Sequence, residues 1–131
     1  PANCDTPAVN RFAGCYYLGH KFDVLQFTRY DSSINFPWGY AVVGPKVGPE
    51  SFSVRWNGQF TFEAGNYTFD VGTDDGARLF IDGWPVFEAW YEHPPTIVKT
   101  RVKLMAGVHT VKLEYFQLSG KASAYLAWKR D

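Results

Sequence analysis

The chain has 131 residues, enough for one domain with a substantial hydrophobic core. It is 46% hydrophobic and 18% aromatic, which excludes a disordered chain and favours β-sheet. Its net charge is zero, so nothing indicates an electrostatic nucleic-acid binder. No apolar stretch is long enough for a membrane-spanning helix, and we expect no membrane insertion. Because the chain starts at Pro1 rather than at Met, we expect residues 1–131 to be one module excised from a larger protein with neighbouring domains. We also expect the module to be a monomer.

The two cysteines, Cys4 and Cys15, lie close together near the N-terminus. A disulfide between them would fasten an irregular segment, residues 1–11, to the first predicted strand. By the loop-entropy estimate it would add about 2–3 kcal/mol. Two free thiols are the alternative. The disulfide is typical of an oxidising compartment, and therefore of a secreted or cell-surface protein.

Apolar and polar residues alternate in a succession of short segments, which is the pattern of half-buried β-strands. The clearest is residues 51–62, where Phe52, Val54 and Trp56 share one face and polar side chains the other. The predicted strands are 12–18, 34–36, 51–62, 67–71, 77–81, 84–90, 96–104, 108–116 and 122–128. The predicted loops are 39–50, 91–95 and 117–121, with 19–26 either a loop or a short strand. Since no helical period is sustained, the predicted fold class is all-β, an antiparallel two-sheet sandwich or barrel.

Two adjacent carboxylates, Asp74 and Asp75, stand at the bend between two of these strands, bracketed by Gly72 and Gly76. Neighbouring aspartates repel each other unless something offsets their charge. Calcium would do so, because it accepts carboxylates and backbone carbonyls in flexible geometry. The alternative is a simple turn, since Asp and Gly dominate turns in any case.

Taken together, these segments resemble the PA14 domain family, which is named after the protective antigen of anthrax toxin. The resemblance extends over roughly residues 12–129 and rests on several blocks in the same order. The matching blocks are 16–17, 29–39, 52–56, 65–69, 74–83, Trp90, 107–116 and 124–128. It implies a two-sheet antiparallel β-fold in an extracellular protein, of the kind found in bacterial surface proteins, glycosidases, fungal adhesins and toxins.

The resemblance also implies a site. In members that bind glycans, a cis peptide joins the residues that correspond to Asp74 and Asp75, and both coordinate Ca²⁺. A second loop then supplies the side-chain amide of Gln117 and the backbone carbonyls of Ser119 and Gly120. Sugar hydroxyls complete the shell of the ion.

Other side chains are candidates for contact with the sugar itself. An aromatic ring can stack on the apolar face of a pyranose, and polar groups at the rim can form hydrogen bonds. Besides the aspartate pair, the candidates are Tyr40, Trp84, Tyr91, Glu92, His93 and Lys121. A core or solvent-exposed role is the alternative for each of them.

These observations predict a calcium-dependent carbohydrate-binding, lectin-like module of a larger secreted or cell-surface protein, with glycans as its partners. The alternative is a structural spacer or protein-interaction domain without calcium or glycan. We do not expect an enzyme, because adjacent aspartates cannot readily flank a glycosidic bond with the separation of about 5–10 Å that hydrolysis uses. Nor do the three histidines, His20, His93 and His109, have the spacing of a metal site or a catalytic triad.

Overall fold

The computed structural model describes residues 2–131, and the chain is all-β, as the sequence predicts. Within this range there is no helix that is long and apolar enough to cross a membrane. The strands are β1 (Ala8–Val9), β2 (Phe12–Leu18), β3 (Val24–Asp31), β4 (Ile34–Gly39), β5 (Phe52–Phe62), β6 (Gly65–Asp74), β7 (Ala77–Ile81), β8 (Trp84–Ala89), β9 (Thr96–Leu104), β10 (Gly107–Gln117) and β11 (Ala122–Arg130).

Two sheets form a sandwich. The larger has seven strands, in the order β3-β2-β5-β10-β7-β8 with β1 beside β5, and the smaller has four, in the order β4-β11-β6-β9. Every pairing is antiparallel except that of β1 with β5. The inward side chains of the two sheets interdigitate in one aromatic-rich core. The largest fully buried side chains include Tyr16, Phe52, Trp56, Phe69 and Tyr115.

One buried carboxylate, Asp31, connects elements of the larger sheet. Its Oδ2 accepts hydrogen bonds from the Tyr16 hydroxyl at 2.6 Å and from the Trp56 indole at 2.9 Å. Its Oδ1 accepts one from Arg29 Nε at 2.7 Å. The negative charge is therefore compensated within the chain by a guanidinium and two neutral donors.

The N-terminal segment is fastened as the sequence predicts, because Cys4 and Cys15 form a disulfide. The prediction that residues 1–11 are irregular is wrong for β1, which pairs in parallel with β5. Two further hydrogen bonds attach the segment to β5. The Asn57 amide donates to the Cys4 carbonyl at 2.9 Å, and the Asn10 N–H donates to the Gln59 carbonyl at 2.9 Å.

The structure corrects several predicted boundaries. β4 ends at Gly39 rather than at residue 36, β11 ends at Arg130 rather than at residue 128, and three further strands are longer than predicted. β3 begins at Val24, inside the stretch predicted as a loop or short strand, because it pairs with β2 along its length. β6 continues past Val71 to Asp74, since both β9 and β11 pair with it there. Gln117 is the last residue of β10, opposite Phe52, and does not belong to the loop. In each case long-range pairing extends a strand beyond its local pattern.

Polar residues on the outer face of β5 are also more buried than their alternation predicts. Ser53 is fully buried because the loop before β3 covers it. Its hydroxyl donates to the Gly19 carbonyl at 2.8 Å and accepts the Phe22 N–H at 2.8 Å. The loop before β3 therefore forms a second layer over this part of the larger sheet.

Candidate functional site

The two aspartates lie where β6 ends and β7 begins, beside the end of β10. Asp74 and Asp75 are joined by a cis peptide bond, as the family resemblance implies. They are only 8% and 6% exposed. Two consecutive ionisable residues are thus almost completely buried at one end of the sandwich.

Hydrogen bonds from β10 and the residue after it hold this bend in place. The Tyr115 hydroxyl donates to the Asp74 carbonyl at 2.6 Å, and the Leu118 N–H donates to Asp75 Oδ2 at 3.0 Å. The Gly76 carbonyl accepts the Phe116 N–H at 3.0 Å. A Cβ on Gly76 would lie 2.1 Å from the Phe116 ring, so only glycine fits this close approach.

Gln117 is fully buried at the end of β10, and its side chain contacts the loop that follows. Its Nε2 donates to the backbone carbonyls of Ser119 at 2.9 Å and Gly120 at 3.0 Å. These contacts orient the amide, because the reverse orientation would set an oxygen against two carbonyl oxygens. Its Oε1 is buried and has no hydrogen-bond partner among the described residues. An acceptor without a partner is costly when buried.

The charges of the aspartate pair are also without a counter-ion. Among residues 2–131, neither Asp74 nor Asp75 forms an ion pair with a lysine or arginine. Burial, together with the hydrogen bond and charge of Asp75, raises the pKa of Asp74 to about 6, and His93 opposes this rise. The same burial and the two carboxylates raise the pKa of the Tyr115 hydroxyl, which therefore remains a donor.

The oxygen atoms of this site suit calcium. Among the described residues, no three His, Cys, Asp or Glu side chains are grouped so that they could hold a metal ion. A metal here would therefore bind two carboxylates and neutral oxygens. Calcium takes six to eight oxygen ligands of this kind, whereas structural zinc prefers nitrogen and sulfur. Gln117 Oε1, which is buried without a hydrogen-bond partner among the described residues, is a neutral oxygen of the kind that calcium accepts. The carbonyls of Ser119 and Gly120 each keep a second lone pair.

Two of the predicted sugar contacts lie beside the aspartates. Tyr91 and His93 line a cleft of about 160 Å³ together with Thr73, the residue before Asp74. Their rings are 5.6 Å apart, edge to face. Tyr91 is 63% exposed, so its ring is free to meet a ligand. Glu92 lies between them in the chain and is exposed.

Of the other predicted contacts, Trp84 is not brought together with the pair. Trp84 begins β8, next to Ile81 at the far end of β7, and the four-residue rise of β7 alone is about 13 Å. The structure therefore places Trp84 away from the aspartate pair. Lys121 directs its ammonium toward the ring of Tyr40, 5.9 Å from the centroid. Lys121 and Tyr40 are both exposed.

The sequence analysis missed the residues that support the second loop. The Glu50 carboxylate accepts the Gly120 N–H at 3.1 Å, and the Leu118 carbonyl accepts the Ser51 N–H at 3.1 Å. Glu50 ends the stretch 39–50, for which the sequence predicts only a loop without regular structure. No local pattern could have found this contact, because it joins positions 70 residues apart.

The comparisons with known proteins agree with this arrangement. The family model described as PA14 domain matches residues 10–131. The chain belongs to the PA14 domain family.

Relatives of this PA14 domain are parts of larger proteins. The anti-sigma-I factor RsgI3 of Acetivibrio thermocellus is 37% identical over 117 residues, which are 88% of this chain and 18% of RsgI3. A solved anti-sigma factor domain-containing protein is 35% identical with a TM-score of 0.85, over 92% of this chain and 43% of that one. The chain thus spans less than half the length of either.

A third comparison concerns the fold. The PA14 sugar-binding domain from an RTX adhesin superposes with a TM-score of 0.74 at 20% identity, over 94% of this chain and 91% of that domain. At this identity the likeness is one of fold. It places the same two-sheet architecture in a domain that binds sugar.

Proposed function

We propose that this PA14 domain is a non-catalytic, calcium-dependent carbohydrate-binding module of a larger secreted or cell-surface protein. The observation that carries the proposal is the set of uncompensated oxygens at the end of β6 and β10. Asp74 and Asp75 bring two charges that no lysine or arginine among residues 2–131 offsets, and Gln117 brings a buried acceptor without a partner. One calcium ion would satisfy all three.

The residues take different roles in this proposal. The aspartate carboxylates, Gln117 Oε1 and the carbonyls of Ser119 and Gly120 hold the ion. When bound, the ion supplies open coordination positions that a pair of sugar hydroxyls can occupy. Asp75 remains anchored by the Leu118 N–H, so the charge is fixed before the ligand arrives.

Aromatic and polar groups beside the pair would then orient the sugar. Tyr91, exposed at the mouth of the cleft, provides an apolar ring for the face of a pyranose. His93, whose imidazole opposes the rise in the pKa of Asp74, provides a hydrogen-bond donor or acceptor at the rim. The sugar-binding PA14 domain of the RTX adhesin supports this reading at the level of the fold.

The proposal is tested by calorimetric titration of the domain with glucose, galactose, mannose and N-acetylglucosamine, each in millimolar calcium and in chelator. We expect at least one sugar to bind in calcium alone. The Asp75→Asn variant keeps an acceptor for the Leu118 N–H but removes the charge, so it should bind none of them. Trp84→Ala removes a distant exposed aromatic and is the matched control, with unchanged binding. Equal titrations with and without calcium would contradict the proposal.

A second candidate function is a protein-interaction or spacer domain. Two relatives more than 30% identical, an anti-sigma-I factor and an anti-sigma factor domain-containing protein, carry no mention of sugar in their names and favour it. In that case neither calcium nor any sugar should change the melting temperature.

A further inference from the structure

A groove crosses the outer face of the smaller sheet, and the proposed site does not use it. It encloses about 280 Å³ and reaches from β4 to the beginning of β9. Its middle follows one row of paired residues, in which Asn35, Tyr125, Gly72 and Ile97 lie opposite each other on β4, β11, β6 and β9.

The depth of the groove depends on Gly72. A Cβ at this position would lie 3.0 Å from Ile97 Cγ1 and 3.6 Å from Tyr125 Cβ, so it would fill the space between the two walls. Ile97 is 65% exposed and Tyr125 half-buried. A glycine in the interior of a strand is unfavourable unless something must approach the backbone closely. Here the backbone of β6 forms the floor of an open channel.

The chemistry of the lining indicates what can occupy it. None of the residues around the groove is charged. The apolar surface comes from Tyr125, Ile97 and a proline at either side, and the polar groups are the amide of Asn35 and hydroxyls such as that of Ser123. A neutral polyol with one apolar face and several hydroxyls suits this lining, whereas an anion or a cation would find no counter-charge.

The groove ends beside the proposed calcium site. It ends at Thr73 and Ser123, which are the chain neighbour and the cross-strand partner of Asp74. Gly72 and Asp74 are two residues apart on one strand and therefore about 7 Å apart on the same face. This spacing is comparable to the length of one sugar residue.

We propose that the groove between Tyr125 and Ile97 is a second sugar subsite, which holds the next residues of a neutral oligosaccharide whose terminal sugar sits on the calcium. The inference rests on the proposed function and extends it from single sugars to chains. Tyr125 supplies a ring or ring edge for the pyranose, Gly72 lets it lie against β6, and Asn35 donates to its hydroxyls.

The test compares chain lengths in calcium. Methyl glucoside, methyl galactoside and methyl mannoside are titrated beside the corresponding linear tetrasaccharides. For at least one sugar, the tetrasaccharide should bind about tenfold more tightly than the monosaccharide, which is the contribution expected of one stacked ring with its hydrogen bonds. Tyr125→Ala should remove most of this gain while monosaccharide affinity stays within about twofold.

Gly72→Val fills the floor and should act in the same way as Tyr125→Ala, so the inference does not depend on one variant that might fail to fold. Trp84→Ala is the control and should retain the gain. Equal affinity for both lengths in the wild type, or an unaltered gain in Tyr125→Ala, would overturn the subsite but leave the proposed function standing. If no sugar of either length binds in calcium, both are overturned together.

Discussion

Two regions of this PA14 domain bury carboxylates, and they treat them in opposite ways. Asp31 accepts hydrogen bonds from Tyr16, Trp56 and the guanidinium of Arg29. Asp74 and Asp75 lie side by side with one backbone N–H on Asp75 and no lysine or arginine ion pair among residues 2–131. The chain therefore supplies compensation for one buried charge and leaves it out for the other two.

A fourth buried carboxylate, like Asp31, is compensated within the chain. Glu114 lies on β10 between two arginines of the neighbouring strands, Arg55 at 2.8 Å and Arg78 at 2.9 Å. Both arginines lie opposite Glu114 in the sheet, whereas Asp31 takes its cation from Arg29 on its own strand. We propose that the aspartate pair, which has no such cation among residues 2–131, takes its positive partner from outside the chain.

The largest effect that tests this comparison is expected at the compensated site. Asp31→Asn removes the charge that Arg29 pairs with and sets an amide against donors from Tyr16 and Trp56. We expect a loss of about 3 kcal/mol in the free energy of unfolding, measured by urea denaturation. The increase in melting temperature on calcium addition should be retained. A loss below about 1 kcal/mol would mean that Asp31 is not a structural centre.

A smaller effect of opposite sign is expected at the uncompensated pair. In chelator at neutral pH, Asp74→Asn removes one of two charges that repel each other in a buried place. It should therefore raise the free energy of unfolding by about 0.5–2 kcal/mol, measured in the same urea series. In saturating calcium the ranking should reverse, because the variant has lost a ligand. A variant less stable than the wild type in both conditions would contradict the comparison.

The uncompensated pair also predicts a pH dependence. The pKa of Asp74 is about 6 in the folded chain and near 3.8 when unfolded, so between these values the folded state binds more protons. The stabilisation by this proton is complete below about pH 4 and is lost as the pH rises through about 6. In chelator, the stability of the wild type relative to Asp74→Asn should therefore decline over this range. A flat difference profile would show that Asp74 titrates normally.

The sequence was sufficient for the fold because its alternation is strong. The row of Phe52, Val54 and Trp56 against polar neighbours fixes a strand and its buried face. The predicted strand boundaries are wrong where the end of a strand is set by pairing with distant strands and not by the local alternation of residues. Gly72 and Gln117 look like turn and loop residues, yet both are held in strands by partners far away in the chain.

The candidate site was only partly accessible from the sequence. The adjacent aspartates and the amide of Gln117 could be chosen from their chemistry and from the family resemblance. Trp84 is a candidate only because it is aromatic. Its position at the far end of β7 is set by the pairing of β7 with β8, which the type of residue does not reveal. The contact between Glu50 and Gly120 depends on three-dimensional loop packing and leaves no signal in the sequence.

The most direct test of the uncompensated pair is a thermal melt in millimolar calcium against a chelator. Calcium at a hundred times its dissociation constant stabilises the folded state by about 2.7 kcal/mol, roughly 10 °C for a domain of this size. We predict this shift in the wild type and in Trp84→Ala, and its absence in Asp75→Asn. Superimposable melts of the wild type with and without calcium would contradict the account.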